Sequence, residues 1–254
     1  MNIGHQFERG ILTLCFDRPE KKNALTTAMY AALSQHLAAA EADPAVRVVV
    51  LTGAGGNFTA GNDLRDFLGS AFSEPGAPVW QFINTFAGFS KPIVAAVGGL
   101  AIGIGVTILL HCDLVYLADD ARLSTPFVQL GLVPEFGSSA LLPRLAGHAR
   151  SFEKLVLGRP ITPAEAVAMG IANAVVPVER LAAQAAEAAT ALAALPAGAV
   201  RESRRLLREG QGVPIVEVMR RETEVFAARL ATAEAREAIN ALLEKRAPDF
   251  SRLG

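Results

Sequence analysis

The chain has 254 residues, 51% hydrophobic and 19% charged, with a formal net charge of -1. That length buries a sizeable core without disulfide or metal staples and suits one large domain with a small appendage. The near-zero charge excludes a broad basic field for nucleic acid and an acidic tail. At the N-terminus, MNIGHQFERG has no basic-then-apolar signal pattern, and Cys15 and Cys112 sit in apolar runs, so buried reduced thiols in a cytoplasmic protein are expected.

In chain order, residues 11–17 read as a strand and 18–23 as a polar turn. Thr26 can cap a helix running to about residue 42, where Asp43-Pro44 stops it. Residues 47–52 (RVVVLT) form a continuous apolar strand of the kind buried on both faces. After the glycine loop 53–61, Asp63 or its neighbour starts a short helix, 69–78 is a loop, and 80–89 is helical again. Residues 93–110 carry no charge and are long enough for a membrane span. Four glycines (Gly98, Gly99, Gly103, Gly105) favour instead a buried strand at 93–97, a glycine turn and a buried helix from Gly103. Short strands follow at 113–118 and 122–124, then helices at 138–145 and 150–157. Thr162 caps a helix with proline at its first position, and 173–176 is a strand. Beyond Pro177 alanine, arginine and glutamate dominate and helical periodicity persists to Arg246. The alternation argues an α/β fold with largely parallel pairing, a core over 1–195 and a helical region over 196–254.

Chemistry concentrates between Asn57 and Pro143. Gly53-Ala54-Gly55-Gly56 lacks the Lys-Ser/Thr of a phosphate loop and the spacing of a dinucleotide fingerprint, and a plain turn suffices. AGNDL (60–64) and AIGIGVT (101–107) are glycine-bearing loops that each open a helix. Gly61 permits a sharp turn that leaves the Asn62 N–H facing outward, and Gly103 places free amides at a helix start. Either loop alone is explained by close packing, but two convergent donors are what an oxyanion requires. Glu135 stands in an apolar stretch with Leu130, Leu132, Val133 and Phe136. It reads as an exposed loop acid, as a charge at a helix N-terminus, or as a base in an apolar pocket. Ser138 and Ser139 read as helix-capping hydroxyls. His5, His36, His111 and His148 show no metal-ligand spacing, and His111 reads as a satisfied buried histidine.

RPEKKNAL (18–25), FTAGNDL (58–64), KPIVAAVGGLAIGIG (91–105), CDLVYLADDARLSTP (112–126), LGLVPEFGSSALLPRLAG (130–147) and TPAEAVAMGIANAVVP (162–177) together resemble the enoyl-CoA hydratase/isomerase (crotonase) superfamily. The resemblance implies a spiral of ββα units and a C-terminal helical trimerisation region, with a homotrimer or dimer of trimers. It implies an acyl-CoA thioester as substrate, no cofactor and no metal. The thioester oxygen would be held by the backbone N–H groups of Asn62 and Ile104, the adenine end would lie near Lys22 and Ala24, and pantetheine would run along Ala60, Gly61, Asp63 and Leu64. The family's hydratases use two glutamates, and at those substrate-facing positions this chain has Thr107 and Phe127. Glu135 falls where some family isomerases carry their catalytic carboxylate, so AGNDL, TPF and LG-x-x-PE-x-x-SS are most similar to the Δ3,Δ2-enoyl-CoA isomerase branch. Leu64, Phe67, Phe72 and Trp80 would accept the acyl chain. The competing readings are a hydratase, a ring-epoxide acyl-CoA isomerase of phenylacetate breakdown, and a non-catalytic acyl-CoA-binding protein.

Overall fold

The computed structural model describes residues 2–67, 76–212 and 214–250. Within them a six-stranded sheet runs in the order β1-β2-β3-β4-β6-β8. Its strands are β1 (Ile3–Glu8), β2 (Ile11–Phe16), β3 (Val48–Gly53), β4 (Ile93–Val97), β6 (Leu114–Ala118) and β8 (Ala174–Val176). Only the β1–β2 hairpin is antiparallel; every other neighbour pairs in parallel. A second, two-stranded parallel sheet joins β5 (Leu100–Ile102) to β7 (Arg122–Ser124). After β4 and again after β6 the chain thus steps from the large sheet to the small one, in keeping with the spiral of ββα units that the resemblance implies.

Alternation along the strands explains the layering. Val49, Leu51, Ile93, Ala95 and Val97 face the main core, which holds helices α1 (Thr27–Ala42) and α3 (Pro78–Gly88). Val48, Val50, Val94 and Ala96 face the other way, onto Leu181, Ala185 and Ala189 of helix α8 (Leu181–Ala194). The strands are therefore buried on both faces, as parallel strands are when helices cover both sides. The uncharged run 93–110 divides into β4, β5, helix α4 (Ile104–Thr107) and a 3₁₀ turn over Ile108–His111, and no helix among the described residues is long and apolar enough to cross a membrane.

Local signals placed most elements. Thr26 Oγ1 accepts from the Met29 N–H and starts α1, and Thr162 and Glu165 form a reciprocal capping box on α7 (Pro163–Ala168). Two strands differ from expectation. β1 is a sheet edge with only Ile3 buried, so its sequence carries no strong apolar pattern. β5 is three residues inside the glycine run. The thiols of Cys15 and Cys112 are free, and both residues are half-buried rather than fully enclosed. The remaining helices are α2 (Leu64–Phe67), α5 (Ser138–Ala146), α6 (His148–Leu155), α9 (Ala197–Gly210), α10 (Ile215–Leu230) and α11 (Ala233–Leu243).

Candidate active site

The two glycine loops meet because the chain at Thr59 is laid beside β5. Thr59 bridges to Ala101, donating its N–H to Leu100 O (2.8 Å) and accepting from the Ile102 N–H (3.0 Å). Gly61 then passes so close to β5 that a Cβ there would lie 2.9 Å from Ile102 O, with φ +85°. No other residue fits both the contact and the conformation without strain. The loop is pinned on either side: Leu25 donates to Gly61 O, and Asp63 donates to Leu25 O, each at 2.8 Å. Arg18 holds the Asp63 carboxylate at 2.7 Å, and the Asp63 Oδ1 accepts from the Arg65 N–H to start α2. Between these anchors, the Asn62 N–H meets no acceptor among the described residues, and neither does the Ile104 N–H at the start of α4. Both residues line one cleft of about 490 Å³.

Ala24, Ala60, Gly61, Asp63, Leu64 and Phe127 line the same cleft. Lys22 does not: it ends a short 3₁₀ turn at φ 49° and is exposed, and its neighbour Lys21 lines the cleft in its place. Thr107 does not either, being fully buried. Trp80 stands behind the cleft, edge-on to Phe226 with ring centroids 5.6 Å apart, and it is Phe226 that faces in. Phe72 and the side chain of Phe67 lie outside the described residues. The outer wall comes from the C-terminal helices, through Phe226 of α10 and Leu242 and Leu243 of α11.

Glu135 is not an exposed loop acid. Only 4% of it is exposed. Its Oε1 accepts a 2.5 Å hydrogen bond from the Thr107 hydroxyl, one helical turn beyond Ile104. Glu135 is not among the residues that line the cleft, whereas Leu132 is. Burial pushes its pKa up to about 8; the Thr107 hydrogen bond opposes this and the charge of Glu222 adds to it. Tyr30 ties the two halves together. Its buried phenol donates to Asn62 Oδ1, and the charge of Glu135 joins burial in raising the phenol's pKa.

The backbone that presents Glu135 is strained. Phe136 has φ 57° and Gly137 φ 72°, and a left-handed phenylalanine persists only where its surroundings hold it. The Phe136 ring stacks on His111 (4.1 Å between centroids), and His111 Nε2–H donates to Phe136 O at 2.6 Å. Burial lowers the His111 pKa to about 4, so the imidazole is neutral and Nε2 carries its proton. Ser138 and Ser139 do not cap α5 with their hydroxyls as expected. Ser138 Oγ donates back to Glu135 O at 2.7 Å, and Gly137 is the N-cap. The amides that open α5 are taken instead by Glu222 of α10, which accepts from Gly137 N–H (2.5 Å) and Ser139 N–H (3.0 Å). Nothing in the local sequence marks Glu222 among the other glutamates of that polar helix.

Two backbone N–H groups without acceptors line the cleft, and a buried carboxyl is held by the helix that one of them opens; enolate chemistry would call on such groups. Residues 6–252 match the family described as Enoyl-CoA hydratase/isomerase, and the chain belongs to that family. The enoyl-CoA delta isomerase 2 of Rattus norvegicus is 37% identical over 242 residues, covering 93% of this chain and 61% of its own length; the chain therefore spans only about three fifths of that relative. The 1,2-epoxyphenylacetyl-CoA isomerase of Escherichia coli (strain K12) is 34% identical over 252 residues, with 96% of each protein covered. A crystal structure of an enoyl-CoA hydratase/isomerase from Pseudoalteromonas atlantica T6c matches with a TM-score of 0.93 at 39% identity, covering 98% of this chain and 100% of that one.

Proposed function

We propose that the protein moves the double bond of a 3-enoyl-CoA to give the trans-2-enoyl-CoA, with Glu135 as the single acid/base. The C2 hydrogen lies between the thioester carbonyl and the alkene, so its loss gives a delocalised dienolate. Glu135 takes that proton and returns it to C4. The Asn62 and Ile104 amides bear the oxygen charge, and loss of one such donor costs about 3 kcal/mol of barrier. Thr107 orients the carboxyl. Lys21 and Arg65 at the cleft mouth face the phosphates of coenzyme A, with the adenine near Lys22 and Ala24. The acyl chain runs past Leu64 and Phe127 towards Phe226, Leu242 and Leu243. The C2 end of the substrate lies near Ile104, one helical turn before the Thr107 that holds Glu135. This chemistry calls on no cofactor, and the C-terminal helices also serve assembly into trimers.

The observation that carries this reading is Glu135 itself. It is a buried acid whose pKa burial pushes up to about 8, and the family resemblance implies that Thr107 and Phe127 stand where hydratases hold glutamates. A base that titrates close to the working pH is the right strength for abstracting a weakly acidic carbon proton. Purified protein should convert 3-hexenoyl-CoA to a conjugated thioester, and Glu135→Gln should lose the activity while still binding CoA esters. A Glu135→Gln protein that isomerises as fast as its parent, or brisk addition of water to crotonyl-CoA, overturns the reading. A second reading has its own support. The Escherichia coli epoxyphenylacetyl-CoA relative aligns over nearly its whole length, whereas the rat isomerase is only partly spanned. In such a substrate C2 lies between the thioester carbonyl and the ring carbon that bears the epoxide oxygen, so loss of its proton gives an enolate that can open the epoxide. Faster turnover of that epoxide than of any 3-enoyl-CoA would select it.

A further inference from the structure

The first turn of α5 lies directly after the proposed base, and a helix N-terminus stabilises negative charge. Left open, the amides of Gly137 and Ser139 would favour the ionised form of Glu135 and weaken it as a base. They are not open. Glu222, from a helix 85 residues further along the chain, places one carboxylate oxygen on each. Both oxygens accept, which fits an ionised carboxylate. The Glu222 side chain is buried against the same loop.

We propose that Glu222 is a positioning residue for the base: by occupying the α5 amides and setting a like charge behind Glu135, it keeps Glu135 strong enough to take a carbon-bound proton. The other groups facing Glu135 do not do this. Tyr30, from α1, is a neutral phenol that donates to Asn62. His111, from the 3₁₀ turn, is neutral and bonded to Phe136 O. Thr107, from α4, donates to the carboxyl and so acts in the opposite direction. Glu222 alone among them is a carboxyl that takes an N–H donor on each oxygen. Its own pKa is raised by burial, and the Ser139 and Gly137 hydrogen bonds hold it back down.

This inference rests on the isomerase reading for its kinetic consequence but not for its titration. The test is Glu222→Gln, which keeps the shape and loses the charge. Removing the like charge and releasing amides towards Glu135 both favour the carboxylate. The midpoint of the rising limb of kcat against pH should therefore fall by about one pH unit. The high-pH plateau should drop by about threefold, because a weaker base transfers the proton more slowly. The same midpoint should be read without substrate from the Glu135 carboxyl carbon by ¹³C NMR, identified by its absence in Glu135→Gln. A variant that loses activity equally at every pH with both midpoints unmoved overturns the proposal and leaves Glu222 a purely structural cap. If the parent shows no isomerase activity, the functional reading fails, while the NMR midpoint still decides the role of Glu222. If Glu222→Gln does not fold, the parent answers. Its Gly137 and Ser139 amide protons should stay at the downfield shifts of carboxylate-bonded amides while Glu135 titrates. Amide shifts that follow the Glu135 titration would place Glu135, not Glu222, on those amides and overturn the proposal.

Discussion

Replacing Glu135 by glutamine should abolish isomerisation and at the same time stabilise the protein in a pH-dependent way. An unfolded glutamate releases its proton near 4.5, and the folded chain holds that of Glu135 up to about 8. Between those values the native state binds a proton that the unfolded state does not, so stability falls as pH rises. The Glu135 contribution is intact below 4.5, declines through the window and is fully lost above 8. Each pH unit within the window is worth about 1.4 kcal/mol. The penalty relative to a neutral group is thus about 3 kcal/mol at pH 7 and about 5 kcal/mol by pH 9. Glutamine avoids it and can still accept from Thr107, but its buried NH₂ finds no evident acceptor, at a cost of about 1–2 kcal/mol. The variant should be about 1–2 kcal/mol more stable than the parent at pH 7, about 3 kcal/mol more stable at pH 9, and slightly less stable at pH 5. Urea denaturation of both proteins at fixed concentration across pH 5–9 measures the gap. A gap that stays constant with pH would refute the claim that Glu135 is held protonated by burial.

Other outcomes follow from the same geometry. In the parent, kcat/KM for a 3-enoyl-CoA should rise with pH through a midpoint near 8, since only the carboxylate accepts a proton; a flat profile would point to another base. Thr107→Val removes a donor to the carboxylate and should move that midpoint up by about one pH unit, with Thr107→Ser restoring it. Gly61→Ala puts a methyl 2.9 Å from Ile102 O at φ +85°, and displacing the Asn62 amide should lower kcat by about a hundredfold with little change in CoA-ester binding. Phe226→Ala removes the partner of Trp80 and part of the cleft wall. It should cost about 3 kcal/mol of stability on urea titration and raise KM for longer acyl chains more than for shorter ones.

What could be read from the sequence was local. Val48 to Leu51 and Ile93 to Val97 announce doubly buried strands because each residue carries its own apolar signal. Thr26 and Thr162 announce helix starts because capping involves neighbours three residues away. Glu135 stands out because it is the lone acid in its stretch, but only its burial, which depends on distant elements, removes the exposed reading. Lys21 and Lys22 could not be told apart, since which of them faces the cleft depends on the left-handed turn at Lys22. The serines after Gly137 misled for a non-local reason. A carboxylate from a distant helix reached the amides first, and no window of sequence contains both groups.

The contribution of α10 and α11 to the cleft has a consequence for biosynthesis. A ribosome makes the loop carrying Glu135 long before it makes the helices that wall the cleft and clasp that loop. Arg229 Nε donates to Gly131 O at 2.9 Å, and the start of α11 lies against Gly131. A nascent chain that ends before α10 therefore has the acid but neither its clasp nor its outer wall. The cleft is complete only once α10 and α11 have been made, however early the acid itself appears.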